Sequence, residues 1–170
     1  MVYIMVDIEA SGQAPGVGEM THFGAVIIKK DLDTSFYGQL NGLDGKVNEH
    51  YRVDIIKPSH ESIGDAKQVM QNFANWIAEF GGDRPMLISD NNGFDWQYIN
   101  YYFHNLLGHN PFGHSSTNLG TLYKGIVRDV WKSFKHLRKT SHTHCPVDDA
   151  MGNTEALITL EKQFKLGIQI

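Results

Sequence analysis

Carboxylates are the residues of this chain best suited to chemistry. Asp7-Ile8-Glu9 sets two acids two positions apart at the end of an apolar run. In a strand, residues two apart face the same way, so both carboxylates point to one side. Two anions that close are costly unless a cation joins them. Oxygen donors of this kind suit magnesium or manganese. A second group, Asp90-Asn91-Asn92-Gly93-Phe94-Asp95, leads from a buried apolar run into a helix. Asp95 then falls in the first helical turn, where the helix dipole favours a negative charge. A third group, His144-Cys145-Pro146-Val147-Asp148-Asp149, joins a loop histidine to an acid one turn inside a final helix. Histidine exchanges its proton near neutral pH, which makes His144 a candidate general base beside a metal ligand. Any one of these groups alone is more often a solvated strand end, a cap or a dipole partner. Together they hold what phosphodiester hydrolysis needs, carboxylates for two cations and a base for water.

Regular elements must bring the three groups together. Residues 2–6 read as a buried strand that Asp7 and Glu9 cut off. Residues 11–18 hold Gly12, Pro15, Gly16 and Gly18 and read as a loop. Residues 22–30 and 34–40 read as two more strands, and their short link predicts a hairpin. Residues 41–59 read as irregular and polar. Residues 62–80 carry Ile63, Ala66, Val69, Met70, Phe73, Ile77 and Phe80 at helical spacing, closed by Gly81-Gly82. Residues 85–89 read as a fourth, buried strand, and 94–107 as a helix stopped by Gly108. A short strand edge is expected at 116–118, followed by a helix. Pro146 can open a final helix that runs to about Lys165. A hairpin-rich first half followed by alternating elements predicts an α/β fold, a mixed sheet of about five strands flanked by helices. The three acidic groups then lie at element ends, which such a sheet can gather into one site.

Composition narrows the class. The 170 residues fit one domain spanning 1–170. Hydrophobic residues make up 41% and charged residues 20%, values ordinary for a soluble protein. A lone cysteine allows no intrachain disulfide and points to a reducing compartment. The apolar start ends at Asp7, too early for a signal peptide, and no stretch reaches membrane-spanning length. A cytoplasmic location and no membrane partner are expected. The net charge of −4 does not advertise nucleic-acid binding. Carboxylates that sit on metal, however, count as acids while their site is neutralised. Lys124, Arg128, Lys132, Lys135, Arg138 and Lys139 also form a basic run, broken by Asp129 alone, just before the histidine-rich loop. Arg138 and Lys139 are therefore candidates for phosphate contact. Phe94 begins an aromatic-rich helix, where residues near the helix start could stack on a base and the rest read as core.

The same residues resemble the DEDDh exonuclease superfamily, which includes RNase T, oligoribonuclease and the proofreading subunits of DNA polymerases. The first motif of that superfamily is matched by Asp7-Ile8-Glu9-Ala10-Ser11-Gly12, the second by Asn91-Asn92-Gly93-Phe94-Asp95. The third is matched by His144 through Asp149-Ala150. The resemblance spans nearly the whole chain and implies a ribonuclease H-like fold. It implies that Asp7, Glu9, Asp95 and Asp149 hold two divalent cations, Mg2+ or Mn2+. Asp7 would bridge them, Glu9 and Asp149 would share the ion that carries the attacking water, and Asp95 would support the other. His144 would take the proton from that water. Ala10, Ser11, Gly12, Asn91 and Phe94 would line the nucleotide pocket. The expected reaction is 3′-to-5′ exonuclease cleavage that releases nucleoside 5′-monophosphates. The stretches DNNGFDWQYINYYF and HCPVDDAMGNTEAL are most similar to short stand-alone bacterial and phage exoribonucleases, which favours RNA over DNA. A ribonuclease H-type endonuclease and a non-catalytic nucleic-acid-binding module are the alternatives. Dimerisation, common in the superfamily, stays open. Members often carry a glutamate before Phe23-Gly24-Ala25 where this chain has His22, which reads as a surface change in preference to a substrate contact.

Overall fold

The computed structural model describes residues 1–46 and 55–170. Strand β1 (Val2–Ala10) lies near the middle of a six-stranded sheet of order β4-β3-β2-β1-β5-β6. It pairs antiparallel with β2 (Met20–Ile27), which pairs antiparallel with β3 (Ser35–Leu40), as the short hairpin link predicts. On the other side β1 runs parallel to β5 (Pro85–Ser89), and β5 runs parallel to β6 (Ser116–Asn118). Helices α1 (Ala66–Phe80) and α2 (Asn92–Leu107) belong to one face, α3 (Leu119–Val127) and α4 (Pro146–Phe164) to the other. This is the ribonuclease H-like mixed α/β sheet that the sequence predicts.

Alternation along β1 decides which side becomes chemical. Ile4, Val6 and Ile8 point into the aromatic core with Phe23, Phe36, Phe73 and Phe103. Met5 points the other way, into the core that α3 and α4 cover. Asp7 and Glu9 continue the Met5 row, so they emerge under the start of α4.

Two expectations change. Among the described residues the sheet has six strands, because His60–Gly64 forms β4, parallel to β3. Helix α1 consequently starts at Ala66 and not at Ser62. The Asp65 side chain accepts a hydrogen bond from the Gln68 backbone N–H at 3.0 Å, a local cap that outcompetes the apolar spacing. Ile63, assigned to the helix by its spacing, is an exposed strand residue. Of the irregular stretch 41–59, residues 47–54 lie outside the described residues. The second change is that β1 does not stop at Val6. It runs through both acids to Ala10, so Asp7 and Glu9 sit within the strand and not beyond its end.

Candidate active site

Helix α4 meets the sheet at Gly24, the partner of Asp7 in the β1–β2 register. A side chain there would collide with the helix, since a Cβ on Gly24 would lie 2.4 Å from both the Pro146 carbonyl carbon and the Val147 nitrogen. Glycine thus lets the first turn of α4 rest on the strand and brings Asp149 over Asp7. Pro146 fits at the helix start because its missing N–H would have no helical partner.

The result is a cluster of three acids. Single carboxylate oxygens of Asp7, Glu9 and Asp149 all lie within 4.8 Å of one another. Asp95 stands behind them in the first turn of α2, buried, with one oxygen accepting the Ile8 backbone N–H at 3.3 Å. Its other oxygen, and one oxygen of Asp149, are buried without a hydrogen-bond partner among the described residues. Burial pushes the Asp7 carboxyl well above its ordinary value. Asp95, Asp149 and Glu9 push it further, and Arg138 opposes them. Burial likewise raises Asp95 to about 7, against the pull of the Ser89 hydroxyl and the Ile8 amide. Crowded, desolvated carboxylates with unused oxygens are what a hard divalent cation neutralises. The donor set therefore fits such ions.

The neighbouring histidines divide unequally. His144 is an exposed residue whose Nδ1 lies 3.7 Å from Glu9 Oε1. Its φ of 61° is unusual for a residue with a Cβ. Thr143 helps hold that shape, donating from its hydroxyl to Asp148 at 2.7 Å and accepting the Cys145 N–H at 3.1 Å. His142, which the sequence analysis does not single out, shares a 2.7 Å hydrogen bond with Asp149 Oδ1. The two imidazole rings stand 4.3 Å apart. A His-x-His spacing ahead of an acid was the available signal.

Arg138 departs from its expected role. Its side chain is 7% exposed and turned inward, with Nη2 donating to Asn153 and, at 3.2 Å, to Asp90. Nη1 lies 4.0 Å from Asp149. It braces the acids from behind and does not project into solvent. Lys139 is exposed, and its backbone N–H is tied to Glu155 at 2.8 Å. His22 is also corrected. It is 2% exposed and not a surface residue, because β2 is an interior strand of the sheet, and its Nδ1 bonds the Thr21 hydroxyl at 2.9 Å.

Ala10, Ser11 and Gly12 form the neck of the loop that follows β1. The Ser11 hydroxyl accepts the Glu19 N–H at 2.9 Å, and the Tyr98 hydroxyl donates to the Gly12 carbonyl at 2.8 Å. Phe94, half-buried, packs edge-on against Tyr98 at 5.3 Å. Asn91 is the exposed N-cap of α2 and makes no side-chain capping bond. Asp148, next to the metal candidate, is fully buried and accepts the Ile55 and Ile56 N–H groups at 2.9 and 2.8 Å.

No family model matches the chain. A curated relative does, the 3′-5′ DNA exonuclease Cap18 of Escherichia coli. It is 28% identical over 143 residues, which are 77% of this chain and 72% of the relative. The solved nuclease domain of 3′hExo, a DEDDh family member bound to rAMP, superposes with a TM-score of 0.70 at 15% identity. That match covers 96% of this chain and 92% of the domain. The chain has the fold of that DEDDh nuclease domain and is similar in sequence to a 3′-5′ DNA exonuclease. E. coli exonuclease I bound to a dT13 oligonucleotide shares the fold at TM-score 0.58 and 15% identity. This chain spans 97% of its own length there but only 41% of that enzyme's.

Proposed function

We propose that this protein is a DEDDh-type exonuclease that hydrolyses the terminal phosphodiester at the 3′ end of a single nucleic-acid strand and releases nucleoside 5′-monophosphates. The observation that carries the reading is the convergence of Asp7, Glu9 and Asp149 oxygens within 4.8 Å, with buried Asp95 behind them and His144 beside Glu9. Asp7, Glu9 and Asp149 would hold one divalent cation, and Asp7 with Asp95 a second, Mg2+ or Mn2+. Bound there, the ions would orient the scissile phosphate and screen the charge that develops on it. His144, exposed at the mouth of the site, accepts the proton of the attacking water. Its imidazole is open to solvent and lies 3.7 Å from Glu9 Oε1. Arg138 steadies Asp149 and Asp90 from inside the protein. The loop neck at Ala10, Ser11 and Gly12, with Phe94 across from it, receives the terminal nucleotide.

DNA replaces RNA as the first substrate to test. The sequence resemblance favours RNA, but the relative at 28% identity is a DNA exonuclease. The decisive assay presents matched DNA and RNA oligomers labelled at the 5′ end, with Mn2+ and with a chelator. A ladder shortening from the 3′ end, release of 5′-monophosphates and an intact circular substrate are expected. Cleavage of the circle would instead make the protein an endonuclease.

A further inference from the structure

Trp131 is 93% exposed, while Trp76 is buried and Trp96 half-buried. An indole this open leaves the broad face of its ring available for stacking. Its backbone is not loose. Arg128 caps α3 in the left-handed conformation, and the Trp131 N–H donates to Asp129 Oδ1 at 2.9 Å. The Lys132 N–H reaches the Asp129 carbonyl at 3.3 Å. A formed turn therefore holds the indole outward.

Trp131 lines a groove of about 560 Å³ with Asp90, Asn118, Lys124, Lys132 and Lys135. The groove opens along the C-terminal ends of β5 and β6, the edge where ligands of open α/β sheets bind. Its cations outweigh its acids. Asp90 is engaged by Arg138 at 3.2 Å and Lys135 at 3.8 Å, and nearby Asp129 is occupied by the Trp131 amide. Phe134, on the groove floor, lies under the Arg138 guanidinium, which is 5.5 Å from its ring centroid. Arg138 spans from Asp90 on the groove wall to within 4.0 Å of Asp149. One side chain thus links a residue of the groove to the acids.

We propose that this groove holds the single strand upstream of the scissile nucleotide, with one base stacked on Trp131 and backbone phosphates against Lys124 and Lys132. The occupant is argued from its chemistry. Lysines flanking an open aromatic match alternating phosphates and bases, and stacking tolerates any base. The proposal rests on the exonuclease reading of the neighbouring site.

The test compares the wild-type chain with Trp131→Ala on long oligodeoxythymidylate, long oligouridylate and a dinucleotide of each, with Mn2+. Removing one stacked base costs about tenfold in affinity. KM for the long oligomers is therefore expected to rise about tenfold, with kcat and dinucleotide cleavage unchanged. A loss limited to one sugar identifies which nucleic acid occupies the groove. Unchanged KM on both long oligomers, or an equal loss on the dinucleotides, overturns the proposal. Trp131 emission in chelator gives a reading free of catalysis. Long oligomer should quench it in the wild type and not in the variant, even if the protein cleaves nothing; absence of quenching overturns the groove whatever the enzyme does. Lys124→Ala with Lys132→Ala should lower the slope of log affinity against log salt by about 0.7 for each lost phosphate contact. A slope that does not move also counts against it. If the wild type sediments as a dimer, Trp131→Ala as a monomer, and KM is unmoved, the indole is a self-association contact and the proposal fails.

Discussion

Asp7 and Glu9 ride on the second half of a central strand, and Asp149 on the first turn of a long helix pressed against it. His142 and His144 hang instead from the irregular segment between the short 3-10 turn at Lys135–Leu137 and α4. The acids are held by sheet register, by the bare Cα of Gly24 and by Arg138. His142 is tied to Asp149 by a 2.7 Å hydrogen bond, whereas His144 stands on the turn that Thr143 braces, packs against the His142 ring and is 78% exposed at its side chain. Rigid elements suit ligands, whose oxygens must stay where a cation wants them. A proton acceptor tolerates a looser mount, because it must reach a water, release the proton to solvent and clear the departing nucleotide.

This contrast between floor and rim can be broken in four places. The largest effect is expected at the floor. Asp7→Ala should abolish cleavage and weaken Mn2+ binding in calorimetry, and a fully active variant would mean the site is misassigned. At the rim, His144→Ala should lower kcat by about a hundredfold or more while oligomer and Mn2+ affinities hold. An equal loss of metal affinity would make His144 part of the floor.

The third test uses pH on metal-free protein. A carboxyl whose pKa is higher folded than unfolded favours the folded state at low pH, and this advantage is lost as pH rises through the folded value. For Asp95 the window runs from 3.8 to about 7. Wild type should therefore lose melting temperature relative to Asp95→Asn as pH climbs across that window in chelator. The free-energy difference should reach a few kcal/mol. Added Mn2+ should reverse the trend for the wild type. A pH-independent difference between the two proteins would remove Asp95 from the desolvated cluster. The smallest effect is expected for His142→Ala. The imidazole competes with a cation for Asp149 Oδ1, so its loss should tighten Mn2+ binding by a few-fold and leave kcat nearly unchanged. A large drop in kcat would shift the proton-handling role toward His142.

Local chemistry was readable from the chain and tertiary partnership was not. The i, i+2 spacing of Asp7 and Glu9 suffices to put both on one face, and Pro146 suffices to start α4 ahead of Asp149. Gly108 and Asn118 likewise mark real element ends. β4 escaped because Ile63 keeps helical spacing with α1, while the cap at Asp65 and the pairing with β3 are long-range or single-residue effects. Arg138 looked like a phosphate contact at the end of a basic run. Only the fold brings Asp90 and Asn153 to it from opposite sides. His22 looked like a surface substitution because burial on an interior strand depends on what packs above it. The Gly24 contact was invisible for the same reason, since its meaning lies in a helix that begins far along the chain.

That contact has a consequence during synthesis. The strand bearing Asp7 and Glu9 is synthesised before α4, which follows every strand of the described sheet. Until the helix settles on Gly24, Asp149 is absent from the cluster and the early acids have no third partner. A chain that has made its sheet but not this helix therefore cannot assemble the three-acid cluster, and the site forms only with the late docking of α4.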